Sequence, residues 1–245
     1  MDSRWPDPGT ALPLLWRTAE RPSRGSGLTV GAIVEAAVAI ADADGIGAVT
    51  MRSVAERLGV GTMSLYTHVP GKRELHALML DQVFADGAEA PEGGRDWRER
   101  CAAIARRDRE RYLRHPWLLE LPAARPAFGP GVAAKYDRDL AALEGTGLSA
   151  AEMNAAVMAL TSFVYGAARF QSQARSDERD GRTEQRFWQA HEPFLHLVLD
   201  PERFPTAHRV AEAARREGDA DHDSSFEFGL ERLLVGIGDL VARRR

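Results

Sequence analysis

The segment VAERLGVGTMSLYTHVPGKREL, Val54 to Leu75, admits few folds. A short helix runs into Gly59, Val60 follows, and a second short helix begins almost at once. Two helices joined so tightly must cross at a steep angle. Ala55 is small enough for the crossing, Gly59 can take the left-handed backbone that reverses the chain, and Val60 is an apolar plug for the turn. Leu65 and Val69, four apart, set one face of the second helix on a core. The other face carries Thr62, Met63, Ser64, Tyr66, Thr67 and His68 instead of a run of charges. Hydroxyl, imidazole and apolar groups of this kind read base edges and phosphates in a major groove. Lys72 opens the next helix, where its charge, the free backbone N–H groups and the helix dipole converge on one phosphate.

The flanking sequence completes a small helical unit. Thr29 is a good N-cap, and Leu28 and Ile33 are spaced as a hydrophobic staple. Val30, Ile33, Val34, Ala37, Val38 and Ala41 keep the helix period until DADG stops it at Gly45. Thr50 caps the helix that carries Val54, Ala55 and Leu58. After the PG turn, Leu75, Leu78, Met79, Gln82 and Val83 form one stripe. DGAEAPEGG, Asp86 to Gly94, is the clearest domain boundary.

These motifs, GVGTMSLYTHVPGKREL above all, resemble the DNA-binding motif of the tetracycline-repressor (TetR) family. The resemblance covers roughly Leu28 to Phe84. It implies that Tyr66, His68 and Lys72 contact phosphates, and that Arg52, Thr62, Ser64 and Thr67 face bases or nearby phosphates. Arg52 alone among them suits a bidentate guanine contact. Met63 stands where many family members carry a small residue or proline. The expected organisation is all-α: a flexible basic arm over residues 1–28, a helix-turn-helix DNA-binding unit of three helices over 29–90, and a larger helical ligand-binding and dimerisation domain over 91–245. The arm contains ALPLLW, an apolar run able to dock, and four arginines. They matter because acids outnumber bases eight to four between Thr29 and Ala90, so operator binding has to rely on local placement of charge.

Beyond Ala90 the chain keeps helical periodicity. A helix is expected from Asp96 to about Arg114, a short one over WLLEL, another in VAAKYDRDLAALEG, and the longest from a Ser149–Glu152 capping box to about Ala174. RSDERDGRTEQR and EGDADHD read as linkers, helical stretches lie near Phe187–Leu199 and Glu202–Arg216, and Ser224 with Glu227 caps a last helix. The arginine-rich RRDRERYLR, with Asp108 and Glu110 interleaved, reads as a solvated face. The family resemblance implies a homodimer and a small-molecule pocket. Ala155, Ala159, Ser162 and Gly166 make a small-residue strip, and Leu230, Leu233, Leu234, Ile237 and Val241 line the last helix with Gly229 and Gly236 nearby. Together they suit half of a four-helix interface, with a purely internal core as the other reading. Candidate effector contacts are Tyr136, Asn154, Met158, Arg169, Phe170, Trp188 and His191. Phe128, Phe163, Tyr165 and Phe194 extend the apolar walls and Gln173 the polar anchors, core packing being the alternative for each aromatic.

The 245-residue chain carries a net charge of −4, so bulk charge does not announce a nucleic-acid partner. Its single cysteine, Cys101, cannot form an internal disulfide and falls on an apolar helix face, as an inert core thiol would. No stretch is long and apolar enough for a membrane span, so a cytoplasmic protein is expected. HEPFLH resembles a zinc-hydrolase motif, but its histidines are five apart with Pro193 between, which argues against a helical metal site. No catalytic residue, metal or cofactor is expected. The reading is a ligand-responsive regulator of transcription on double-stranded operator DNA, most simply a repressor; the alternatives are a DNA-binding regulator with no effector and, further off, a helical metal-dependent hydrolase.

Overall fold

A computed structural model of the chain describes residues 6–16, 28–85, 96–121, 127–183, 186–187, 189–191, 194, 200–217 and 221–244. Among them there is no strand, as the all-α expectation requires, and no helix is long and apolar enough to cross a membrane. The helices are α1 (Pro8–Leu15), α2 (Val30–Asp44), α3 (Met51–Leu58), α4 (Thr62–Tyr66), α5 (Lys72–Ala85), α6 (Trp97–Arg114), α7 (Pro130–Ala141), α8 (Ala150–Arg179), α9 (Pro205–Glu217) and α10 (His222–Ala242). Short 3-10 turns occupy Ile46–Ala48 and Pro116–Glu120.

Local chemistry starts most of these helices where the sequence places them. The side chains of Thr29, Thr50, Asp96 and Ser149 accept the backbone N–H three residues on, at 3.1, 2.9, 2.9 and 3.3 Å. Gly59 ends α3 with φ 67°, a conformation that side chains resist. α2, α3 and α5 bury Ile33, Ala37, Val54, Leu75 and Met79 in a core continuous with that of the second domain. α6, α8 and α10 pack together in the second domain, where Phe163 stacks on Phe226 with ring centroids 5.4 Å apart.

Four expectations change. Residues 8–16 are not a flexible arm: Asp7 caps α1, and Ala11 and Leu15, four apart, are buried as α1 packs on α5. The rest of residues 1–27 lies outside the described chain, apart from Pro6 and Asp7. α8 runs past Ala174 to Arg179, because nothing breaks the helix before Gly181, whose φ is 74°. α10 starts at His222 rather than after Ser224. Asp221 is the cap, accepting from Ser224 N at 2.6 Å, and Glu227 is drawn instead to Arg106 of α6. Lastly, RRDRERYLR is not wholly solvated, since Asp108 and Arg111 are buried.

Candidate nucleic-acid interface and regulatory domain

The reading helix stands on two anchors. Leu65 and Val69 are fully buried, while Met63 keeps 78% of its surface exposed, and Ser64, Tyr66 and Thr67 are exposed beside it. Thr62 and His68 are half-buried at the rim. The Thr67 hydroxyl donates to the Ser64 carbonyl at 2.6 Å, which fixes its rotamer but leaves its lone pairs outward. Arg52 lies on α3 and pairs with Glu56 at 2.8 Å, a pair too exposed to hold the guanidinium back from a base. Lys72 is exposed at the start of α5, with Glu74 in the same turn. All eight candidate residues therefore fall on α3, α4, the turn after α4 and the first turn of α5.

One turn further along α5, His76 points inward, and its Nε2 is buried without a hydrogen-bond partner among the described residues. Burial, helped by the Lys72 charge, lowers its pKa to about 4. Between the ordinary histidine value of ~6.5 and that depressed value, the unfolded chain takes up a proton that the folded chain refuses. Stability is therefore full above pH ~6.5 and falls on acidification toward pH 4. Denaturant midpoints at pH 7.5 and 5 should show this loss, and His76→Leu should reduce it. An unchanged pH slope in that variant would remove His76 as the cause.

The candidate effector residues do not gather in one place. The Tyr136 hydroxyl donates to Asn154 Oδ1 at 2.8 Å, joining α7 to α8 at an exposed edge. The Arg169 guanidinium and the Tyr165 hydroxyl both donate to the Leu119 carbonyl, at 3.0 and 2.9 Å. Met158 and Phe170 point to the outside, Phe170 with 77% of its surface exposed. His191 stacks on Phe187, 4.0 Å between rings, also exposed, and Trp188 lies outside the described residues. Of the wider set, Phe163 and Tyr165 are half-buried and pack against the core, whereas Phe128, Gln173 and Phe194 are exposed.

Another set of residues encloses a cavity of about 20 Å³ between α6, α7 and α8: Cys101, Ile104, Asp108, Asp139, Leu160 and Thr161 are among them. That volume holds about one water molecule. Beside it lies a buried ionic network that the sequence reading missed. Lys135 Nζ is 2.7 Å from Asp108 and 2.5 Å from Asp139, and Arg111 pairs with Asp108. Burial opposes the Lys135 ammonium, but the two carboxylates outweigh it and raise its pKa. Burial pushes the Asp139 carboxyl up, with Lys135 pulling it back only in part. Asp139 Oδ1 has no hydrogen-bond partner among the described residues. The Cys101 thiol is pushed to about 12 by burial, as an inert core thiol would be. One signal was in the sequence: Cys101, Ala105, Asp108 and Tyr112 share a helical stripe, so Asp108 faces inward.

The small-residue strip and α10 divide differently from expectation. Leu230, Leu234 and Val241 are buried within the chain itself. Ala155, Ala159 and Ser162 stay exposed, as do Phe228, Val235 and Gly236 of α10. Ala155, Leu233, Gly236 and Ile237 line an open groove of about 330 Å³ between α8 and α10.

A steep pair of short helices with an uncharged reading face, joined through α5 to a separate helical domain, defines a helix-turn-helix regulator. Residues 33–78 match the family described as bacterial regulatory proteins, tetR family, and residues 90–241 match the tetracyclin repressor-like C-terminal domain. The chain belongs to the TetR family and is a DNA-binding regulator of transcription, not an enzyme. It is 43% identical to the HTH-type transcriptional repressor DrrR1 of Streptomyces coeruleorubidus, across 98% of this chain and 88% of that one. It is 27% identical to the class A tetracycline repressor protein from transposon 1721 of Escherichia coli, across 87% and 90% of the two chains. Among solved structures, apo ActR of Streptomyces coelicolor superposes with a TM-score of 0.74 at 28% identity, covering 90% of this chain and 99% of that one. ActR in complex with actinorhodin gives 0.72 at 30% identity, over 86% and 96%.

Proposed function

We propose that this protein is a homodimeric, cytoplasmic repressor that holds double-stranded operator DNA until a small-molecule inducer binds its C-terminal domain. What carries the DNA half is the uncharged face of α4 raised on fully buried Leu65 and Val69. In this reading Tyr66, His68 and Lys72 grip phosphates, and Arg52, Thr62, Met63, Ser64 and Thr67 face the groove. The inducer half draws support from the ligand complexes of ActR and from the cavity between α6, α7 and α8, where Asp139 offers an unsatisfied acceptor beside Asp108 and Thr161 on a largely apolar wall. An apolar molecule carrying a hydroxyl or N–H donor suits that wall. So small a cavity takes such a molecule only if the helices around it spread. Such spreading of α7 from α8 would strain the Tyr136–Asn154 bond that joins them.

The test begins with selection of bound duplexes from a random pool. Tyr66→Ala and Lys72→Ala should weaken binding to every sequence, Lys72→Ala also lowering the salt slope by about 1. Arg52→Ala should relax preference at one base pair per half-site, on the order of tenfold to a hundredfold. Specific binding that survives all three changes refutes the interface. Any inducer must weaken duplex binding by the factor by which the duplex weakens inducer binding. Ligands that bind without that reciprocal effect would favour a regulator lacking an effector.

A further inference from the structure

The geometry points to Asp81 as the positioning residue that couples the effector domain to the reading head, an inference resting on the regulator reading above. α5 carries the reading helices at one end and packs along α7 at the other. α7 starts with Gly129 and Pro130 and has no side-chain cap of its own. Its cap comes from α5 instead: the buried Asp81 carboxylate accepts the Val132 N–H at 2.9 Å. An anion at that end also complements the positive pole of the α7 dipole.

The approach of the two helices is closer than any side chain would allow. A Cβ added at Gly131 would lie 2.1 Å from the Asp81 carbonyl oxygen and 2.9 Å from Ala85 N. One at Gly129 would lie 2.3 Å from Asp81 Oδ1. α1 closes the joint from outside. It packs on α5, and the Trp16 indole donates to the Phe128 carbonyl at 2.9 Å, just before α7 begins. The same α7 supplies Lys135 and Asp139 to the buried network and a wall to the cavity. A displacement of α7 at the cavity therefore reaches α5 through its capped first turn. α2 makes a second attachment, where Asp42 accepts from Trp117 Nε1 and bonds His115 Nδ1, both at 2.7 Å. That attachment leads to the 3-10 turn after α6, not to the cavity wall on α7.

The experiment uses full-length chains with nitroxide labels at Arg57→Cys on α3 and Glu144→Cys in the body; both sites are exposed, and buried Cys101 stays unlabelled. The doubly labelled chain is diluted with excess unlabelled chain, so that a dimer carries one labelled protomer; with Asp81 intact, the label distance should then be single and narrow. Asp81→Ala should broaden or shift it and lower affinity for the duplex selected by the unsubstituted chain about 5- to 150-fold. Asp81→Asn, whose amide oxygen still accepts from Val132, should keep both. A lowered melting temperature in Asp81→Ala with unchanged distance would make Asp81 a structural cap only and overturn the proposal, as would a changed distance with unchanged duplex affinity. If the unsubstituted chain selects no duplex, the regulator reading fails, and the distances alone decide whether Asp81 positions the head.

Discussion

Lys135→Met should cost the folded chain about 3–5 kcal/mol, because it breaks a buried ionic network from one side. Lys135 Nζ serves Asp108 and Asp139 together, at 2.7 and 2.5 Å, and all three residues are buried. Without it Asp108 keeps Arg111, whereas Asp139 keeps no ion-pair partner within hydrogen-bond reach among those described. Burial already raises the Asp139 pKa, and removing the Lys135 charge raises it further. Between the unfolded carboxylate value and that raised value, the folded variant holds a proton that the unfolded chain has lost. The deficit should therefore shrink as pH falls from 7 toward 5. Lys135→Met with Asp139→Asn removes one charge of each sign and should recover part of the loss. Denaturant unfolding at both pH values gives the check. A loss under ~1 kcal/mol, the worth of an exposed pair, would mean that the network is solvated.

That network also marks the limit of what the sequence makes legible. Caps are local: Thr29, Thr50, Asp96 and Ser149 each meet a donor three residues on, so a short string of letters contains both partners. Gly59 and the Leu65–Val69 pair are local too, and so the reading head is legible in the sequence. Partners brought together by packing are not. Asp81 caps a helix 51 residues away, and Trp16 finds a carbonyl 112 residues away. The charges of RRDRERYLR display a helical period, but the period cannot say which of them meets a counter-charge. Asp108 is buried because α7 brings Lys135 to it, and Arg106 crosses to Glu227 on α10. Residue type alone points to the effector residues, and aromatics have no fixed side: Phe226 is core while Phe170 on the neighbouring α8 faces outward.

Exposed Phe170, Phe228 and Val235 bear on the second large effect, the loss of operator binding in Gly236→Arg. A Cβ at Gly236 meets nothing within 4 Å in the single chain, and the residue is exposed in mid-helix. Arginine is the better helix former by somewhat under ~1 kcal/mol, so the protomer itself should be no less stable. Yet Gly236 lines the groove with Ala155, Leu233 and Ile237, and Met158, Phe228 and Val235 stay exposed on these two helices. So much exposed apolar surface on one pair of helices is what a partner's α8 and α10 would cover in a four-helix interface. A long guanidinium side chain at its centre would hold the partner's helices off and put a second cation beside Arg232 in that groove. Gly166→Arg, on the same small-residue strip and equally open, should act alike. Gly229→Ala is the contrast, since its Cβ would strike the Phe163 ring at 2.5 Å inside the protomer and should cost stability without changing the mass. Two linked reading heads bind two half-sites with an avidity that separate heads lack. Both arginine variants should therefore sediment as folded monomers and bind the selected duplex ~10²–10⁴-fold more weakly. An unchanged dimer mass in both would show that the groove between α8 and α10 is not where the protomers meet.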